Sequence, residues 1–449
     1  MSGELISRAN LSVPRYTSYP TAPHFKGSID SSRYESWLQE QDPAQPVSLY
    51  LHVPFCKKMC WYCGCHTKIA ARYSPVETYA KTLRAEIEML ADRLPGRFSL
   101  SHLHWGGGTP TILSEEDFKA TMALIGERFR FTSDAERAIE IDPRTVDAAK
   151  ITALAAAGIN RASLGVQDFS PAVQKAINRV QSFEITRNTT ENLRRAGIEK
   201  INFDLMYGLP LQTEADILRT VDLSHQLRPD RIALFGYAHV PWMKSHMRLI
   251  NDDDLPGAEL RLSQAAAAAT RLKQLGYRQI GLDHFARSDD TLATAQEKRQ
   301  LHRNFQGYTT DMAQTLLGVG ASAIGQLPQG YVQNAVSIHE YEKSVAKSQL
   351  PVIKGIETGP DDILRRYVIE RLMCDLEVDL KEVCEKFGCE PTYFKTERAA
   401  LQEYEDEGLV KLQDETITIT HQGRFFVRTI CALFDKYLEQ GLARHSKAV

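Results

Sequence analysis

The 449-residue chain has no excess of charge: 54 Lys and Arg stand against 57 Asp and Glu, a net of −3. That balance argues against a nucleic-acid partner, which a strong basic field would announce. No run of about 18 apolar residues is present to cross a bilayer. MSGELISRANLSVPRY, at the start, lacks the apolar stretch of a signal peptide. A cytoplasmic protein with no membrane partner is expected. Cysteines are few and do not form a disulfide framework. Four of the eight (Cys56, Cys60, Cys63, Cys65) lie within ten residues, and Cys374, Cys384, Cys389 and Cys431 scatter through the last fifth. In a reducing compartment such a cluster points to metal ligation or redox chemistry. The scattered four read as small buried side chains.

What is present is alternation. Apolar, β-branched runs at Val47–Val53, Leu100–Trp105, Ala138–Ile141, Arg161–Val166, Ile201–Met206 and Arg231–Tyr237 read as strands of a parallel sheet. Between them, Tyr79, Leu83, Ile87, Leu90 and Leu94 recur at helical spacing, and Ser114 with Asp117 predicts a capping box. AAAGIN, RRAGIEK and KQLGYRQ each read as helix, glycine, strand. Six strand–helix units imply a parallel sheet, open or curled into a barrel, with ligands at the carboxyl ends of its strands. Before it, residues 1 to about 45 read as irregular, with PRYTSYPTAPHF too rich in Tyr and Pro for a flexible tail. After about Gly355 the texture changes. Helical patterns at Asp361–Met373, Leu380–Phe387 and Pro391–Glu407 precede strand-like Leu409–Leu412 and Thr416–Thr420, then a last helix from about Gln422. This resembles a winged helix, but its mixed charge argues against DNA binding.

The segment LYLHVPFCKKMCWYCGCHTK follows the first strand and spaces Cys56, Cys60 and Cys63 as C-x3-C-x2-C. Three thiolates on one short loop wrap three corners of a cubane and leave the fourth iron open to a small molecule. A structural zinc site would need a second ligand pair a dozen or so residues on, and none follows. Clustered free thiols are also rare on a bland surface loop. The open 4Fe–4S reading is preferred.

Cys56, Cys60, Tyr62 and Cys63 together resemble the radical S-adenosylmethionine superfamily. PRYTSYPTA, the fourth cysteine of CGCHTK, HWGGGTPT and LHRNFQGYTT narrow the resemblance to one branch, the oxygen-independent coproporphyrinogen III oxidases. The similarity runs through nearly the whole chain. It implies a partial (β/α)6 barrel at 46–354, an N-terminal extension at 1–45 and a mainly helical, winged-helix-like domain at 355–449. It implies oxidative decarboxylation of two propionates of coproporphyrinogen III to vinyl groups, giving protoporphyrinogen IX, by 5′-deoxyadenosyl radicals from S-adenosylmethionine. A flavodoxin-like electron donor and a monomer go with it.

Several positions gain roles from the resemblance. Tyr50, Gly107, Glu140 and Ile324 would surround the S-adenosylmethionine on the cluster. Tyr62, Gly108, Thr109, Gln167, Arg179, Asp204 and Ala238 would surround a second molecule. Read alone, Gly106–Gly108 is a tight turn, and Glu140 or Asp204 a helix cap; polar residues at three successive strand ends favour a site. Arg179 alone reads as a surface arginine. Cys65 cannot ligate if one iron stays open and alone reads as a small buried thiol; the resemblance, whose branch retains it, implies a catalytic or structural role near the substrate. Arg15, His302 and Arg303 are candidates for the substrate's carboxylates, and Tyr16 and Phe305 for stacking on its macrocycle. Two rivals remain. A haem-binding chaperone relative lacks Cys65, PRYTSYPTA and LHRNFQGYTT; a transcriptional module would need a basic stripe.

Overall fold

A computed structural model describes residues 3–438; the ends of the expected outer segments, 1–2 and 439–449, lie outside the described residues. All six expected strands are present: β1 Val47–Val53, β2 Ser99–Gly107, β3 Arg130–Ile141, β4 Arg161–Gln167, β5 Lys200–Tyr207 and β6 Arg231–Gly236. They pair in parallel in chain order. Leu49, Leu51, Leu103, Ile139, Leu164, Phe203 and Ile232 are at most 1% exposed and join the core, while polar Ser48, Tyr50, His52, Glu140 and Asp204 take intervening positions. Helices cover the outer face. The first, α1 Ser74–Arg93, buries Tyr79, Leu83, Ile87 and Leu90, the face expected from their spacing. The three junction glycines, Gly158, Gly197 and Gly276, stand at φ +91°, +90° and +89°, the left-handed turn that other residues resist.

The sheet is larger than six strands. The remaining strands are β7 Tyr277–Ile280, β8 His284–Arg287, β9 Leu316–Val319, β10 Ile324–Leu327, β11 Gly330–Asn334 and β12 Val352–Glu357. The twelve lie in the order β12-β11-β10-β9-β1-β2-β3-β4-β5-β6-β8-β7, so the sheet is open. β9 adds a seventh parallel strand beside β1, and the outer strands at both ends run antiparallel. Gly318 of β9 lies so close to β10 that a Cβ would stand 2.6 Å from the Ile324 carbonyl.

Two expectations need correction. Ser114 does cap α2 Glu115–Arg128 by accepting from the Asp117 N–H at 3.1 Å, but no capping box closes. The Ser114 N–H donates instead to the Tyr73 hydroxyl at 2.7 Å, and Asp117 takes Tyr73 and Arg84. Residues 1 to about 45 are not irregular throughout, because Gly3–Ala9 and Ser31–Gln39 are helical. Both are short, so their stability comes from docking. Tyr34, Trp37 and Leu38 join the barrel core, whereas Leu5, Ala9, Val13, Tyr16 and Tyr19 join the core of the C-terminal region. That region holds the expected helices, Pro360–Asp375, Leu380–Phe387 and Lys395–Asp406, and the hairpin Val410–Gln413/Thr416–Ile419. An extra strand, Glu377–Asp379, makes its sheet three-stranded. The Arg428 side chain donates to the Pro14 carbonyl at 2.9 Å, tying the N-terminal strap across it.

Candidate active site

The cysteine loop leaves the sheet just past β1. Phe55–Cys56 pairs in parallel with Lys68–Ile69, which closes the intervening residues into a compact loop. This loop roofs a cavity of about 580 Å³ at the carboxyl ends of the strands. Cys56, Cys60, Cys63 and Cys65 all line it. Cys60 is buried and Cys65 exposed, so Cys65 is not the small buried thiol of its bland reading. Arg144 and Arg179 donate to the Cys60 Sγ at 3.3 and 3.5 Å, and the Thr109 hydroxyl lies 3.4 Å from the Cys56 Sγ. The Cys65 thiol, followed by Lys244 and Arg179, draws the Cys63 thiol down to about 7 against its burial. The neighbouring cations thus reinforce the Cys65 hydrogen bond in favouring the Cys63 thiolate, whereas burial pushes the Cys56 thiol up to about 11.

The glycine run supplies the facing wall. Gly108 donates its N–H to the Val53 carbonyl at 2.9 Å and Thr109 to the Phe55 carbonyl at 2.8 Å, locking the end of β2 against the loop. A Cβ on Gly108 would stand 2.6 Å from the Phe55 carbonyl oxygen, and one on Gly106 2.8 Å from Glu140 Oε1. Glu140 accepts from the Gly107 N–H at 3.2 Å and sits 3.3 Å from His104 Nε2. On β5, Asp204 accepts from the Ser163 hydroxyl at 3.1 Å. Burial, then repulsion from Glu140, pushes Asp204 up to about 7. Gln167 ends β4 at φ +68° after a break in register, a strained position that turns its side chain to the cavity.

Arg179 is no surface residue. It is 6% exposed, donates to the Gly165 carbonyl at 2.6 Å, pairs with Asp142 at 3.3 Å, and its Nε has no hydrogen-bond partner. Of the residues expected to hold the cluster and cofactor, only Tyr50 and Ile324 do not line the cavity. Tyr50 lies behind the glycines with its hydroxyl 2.9 Å from His52 Nδ1, and pairs in register with Gly318, against which Ile324 packs. Arg15 lines the cavity; Tyr16, His302, Arg303 and Phe305 do not. The Tyr16 hydroxyl donates to Asp435 at 3.1 Å, and Phe305 packs edge-on to Tyr331. His302 Nδ1 is 3.0 Å from Glu370 on the C-terminal helix Pro360–Asp375. Sequence reasoning missed Arg144, Lys244 and His246. Arg144 follows the end of β3 by three residues, a position with a legible signal, and grips Asp142 at 2.7 Å. Lys244 and His246 reach the Cys65 and Cys63 carbonyls at 3.0 and 2.8 Å from a distant loop without a motif.

These residues fit a cluster better than a single ion. Among the described residues no three His, Cys, Asp or Glu side chains converge as one metal ion requires, whereas a cubane takes its thiolates at separate corners. The glycine cradle, two carboxylates, Gln167 and a buried guanidinium fit the groups of S-adenosylmethionine: ribose hydroxyls, ammonium and carboxylate.

A parallel sheet carrying a three-cysteine loop at the end of its first strand defines the radical S-adenosylmethionine class, and residues 50–224 match the Radical SAM superfamily. Residues 359–426 match the HemN C-terminal domain. An oxygen-independent coproporphyrinogen III oxidase of Bradyrhizobium diazoefficiens is 51% identical, covering 97% of each chain. The anaerobic coproporphyrinogen III oxidase 1 of Cereibacter sphaeroides is 44% identical over 97% of this chain and 96% of that one. The solved coproporphyrinogen III oxidase (HemN) from Escherichia coli, a radical SAM enzyme, is 37% identical with a TM-score of 0.90 over 95% and 100% of the two chains. The chain belongs to the oxygen-independent coproporphyrinogen III oxidase family. Membership implies a 4Fe–4S cluster and S-adenosylmethionine.

Proposed function

We propose that this protein decarboxylates two propionates of coproporphyrinogen III to vinyl groups without oxygen, forming protoporphyrinogen IX. The carrying observation is the meeting, in one cavity, of the three-cysteine loop with the strand-end residues Glu140, Gln167 and Asp204. When bound, a 4Fe–4S cluster with S-adenosylmethionine would supply the radical chemistry needed to take a hydrogen from a propionate β-carbon.

The chain's own work is positioning. Cys56, Cys60 and Cys63 would hold the cluster, and Arg144 and Arg179 donate to the Cys60 Sγ. Gly107 and Glu140 face the cofactor on the open iron, with Tyr50 and Ile324 supporting that wall from behind. Tyr62, Gly108, Thr109, Gln167, Arg179, Asp204 and Ala238 surround a second S-adenosylmethionine. In support, these polar groups exceed the needs of one cofactor. Cys65, exposed on the cavity side, faces the substrate. Met206, Val240, Met243 and Met247 give the cavity an apolar wall suited to a macrocycle. A flavodoxin-like donor, a monomeric state, a cytoplasmic site of action and no nucleic-acid partner complete the reading. So does the division at 1–45, 46–354 and 355–449, which the separate apolar cores of the barrel and C-terminal region support.

Anaerobic incubation with coproporphyrinogen III, reductant and S-adenosylmethionine, followed by mass spectrometry, tests the proposal. Protoporphyrinogen IX should form with wild-type protein and not with Cys60→Ala. Cofactor cleavage without porphyrinogen product would refute it.

A further inference from the structure

Beside the main cavity lies a recess of about 50 Å³, too small for a macrocycle and large enough for a carboxylate. Four arginines line it, Arg15, Arg261, Arg303 and Arg428, against one carboxylate, Asp283. Arg15, Phe235, Tyr237 and Ala238 line both spaces, so the recess opens off the cavity wall. We infer that this four-arginine recess is the subsite for a retained propionate of the substrate, a carboxylate that the reaction leaves in place. The inference rests on the porphyrinogen reading above and adds where the molecule is gripped.

The arginines are fixed in advance. Arg15 donates to the Gly236 carbonyl at 3.2 Å and Arg261 to the Tyr237 carbonyl at 2.8 Å. Arg428 is held by the Pro14 carbonyl at 2.9 Å. Arg303 has buried donor atoms to spare. Its side chain is 5% exposed, yet Nε and Nη1 make no hydrogen bond, and Asp283, its ion-pair partner, stands 3.7 Å away. Asp283 is also occupied by His284 Nδ1 at 2.8 Å. Burial, then the nearby Arg15, lowers Arg428 to about 9, a tension that an incoming anion relieves. Guanidinium forks suit carboxylates, which they bind in bidentate pairs.

Place and charge both select a retained propionate. No residue of the 56–65 loop or of 107–109 lines the recess, so a carboxylate held there is kept from the radical source. Pairing with several guanidiniums also stabilises the charged carboxylate, the ground state that loss of carbon dioxide must abandon. A propionate pinned this way is a handle and a poor leaving group. Its grip turns the opposite side of the macrocycle to the cysteine loop.

The test is fluorescence titration of the cluster-loaded protein with two porphyrins. Coproporphyrin III carries all four propionates. Mesoporphyrin IX keeps the two that are retained and has ethyl groups in place of the two that react. Arg303→Gln and the exposed Arg15→Gln should each weaken both porphyrins about tenfold or more, the loss of a charge-assisted contact. Arg303→Lys should recover part of that loss, and S-adenosylmethionine affinity and iron content should stay at wild-type values. Unchanged affinity for both porphyrins would overturn the subsite. A loss confined to coproporphyrin III would also overturn it, because the arginines would then hold the reacting propionates. Failure of both porphyrins to bind the wild-type protein would overturn the substrate reading and this inference with it.

Discussion

Replacing Gly108 with alanine tests how the end of β2 supports the cluster loop. The added Cβ would lie 2.6 Å from the Phe55 carbonyl oxygen and 2.9 Å from its carbon and nitrogen. Those are backbone atoms, and ordinary contact begins at 3.4 Å, so the two segments must part by roughly 0.8 Å. Two bonds lie across the opening, Gly108 N–H to Val53 and Thr109 N–H to Phe55, at 2.9 and 2.8 Å. Each contributes about 1 kcal/mol net, and a buried group left unsatisfied costs about 1–3 kcal/mol. A total near 3 kcal/mol is roughly a hundredfold in an equilibrium constant. Phe55 precedes Cys56, whose Sγ meets the Thr109 hydroxyl, so the loss should fall on cluster affinity. Chelator competition against reconstituted protein should show Gly108→Ala releasing iron at about a hundredfold lower chelator. Gly126→Ala is the control: within α2, with nothing within 4 Å of its Cβ, it should raise stability by about 0.5–1 kcal/mol. Wild-type iron retention by Gly108→Ala would refute the argument.

Replacing Cys56, Cys60 or Cys63 with alanine should remove most of the iron and the brown absorbance, whereas Cys65→Ala should keep a cluster and lose turnover; iron analysis with absorbance spectra distinguishes the two sets. Because Asp204 is pushed up to about 7, its carboxylate attracts a cationic ligand more strongly at pH 8 than at pH 6. Calorimetry should therefore show S-adenosylmethionine affinity rising across that window in the wild type and flat in Asp204→Asn. Glu86 accepts from Gly320, Asn334 and Tyr341 at 2.7, 2.7 and 2.6 Å, and burial pushes it up to about 7. With a raised folded value, its contribution to stability is complete below pH ~4.5 and lost as pH rises through about 7, at about 1.4 kcal/mol per unit between. Urea titrations across that range should show the Glu86→Gln difference from wild type changing by about 3 kcal/mol, and a pH-independent difference would contradict it.

The strands β1–β6 were legible because each carries a dense set of apolar residues that joins the core, and Val47–Val53 has the bounds expected of it. The three helix–glycine–strand junctions were legible because a left-handed residue demands glycine. Strands β9–β12 were missed for the opposite reason. They are short and interrupted by Gly318, Gly325, Gly330 and Gly355, whose packing against neighbouring backbone leaves little side-chain pattern. The N-terminal helices Gly3–Ala9 and Ser31–Gln39 take their stability from two different cores, which a local pattern does not report. At the site, Glu140, Gln167 and Asp204 stood out as polar groups ending apolar strands. Arg179 had no such signal, and its burial under the cysteine loop comes from the turn after Pro171–Ala176 folding back on β4. Tyr16 and Phe305 were expected to stack on the macrocycle from their place in PRYTSYPTA and LHRNFQGYTT, yet packing turns both away from the main cavity.

The central claim is that radical chemistry at this cavity makes vinyl groups from propionates, one S-adenosylmethionine consumed for each. Each propionate loses a hydrogen atom, carbon dioxide and one further electron, so nothing in the step regenerates the cofactor. The direct measurement is 5′-deoxyadenosine released against vinyl groups formed, under strict anaerobiosis, with the monovinyl intermediate quantified by mass spectrometry. The account predicts one deoxyadenosine per vinyl, hence two for each protoporphyrinogen IX. One deoxyadenosine for two vinyl groups, or deoxyadenosine with no porphyrinogen product, would contradict it.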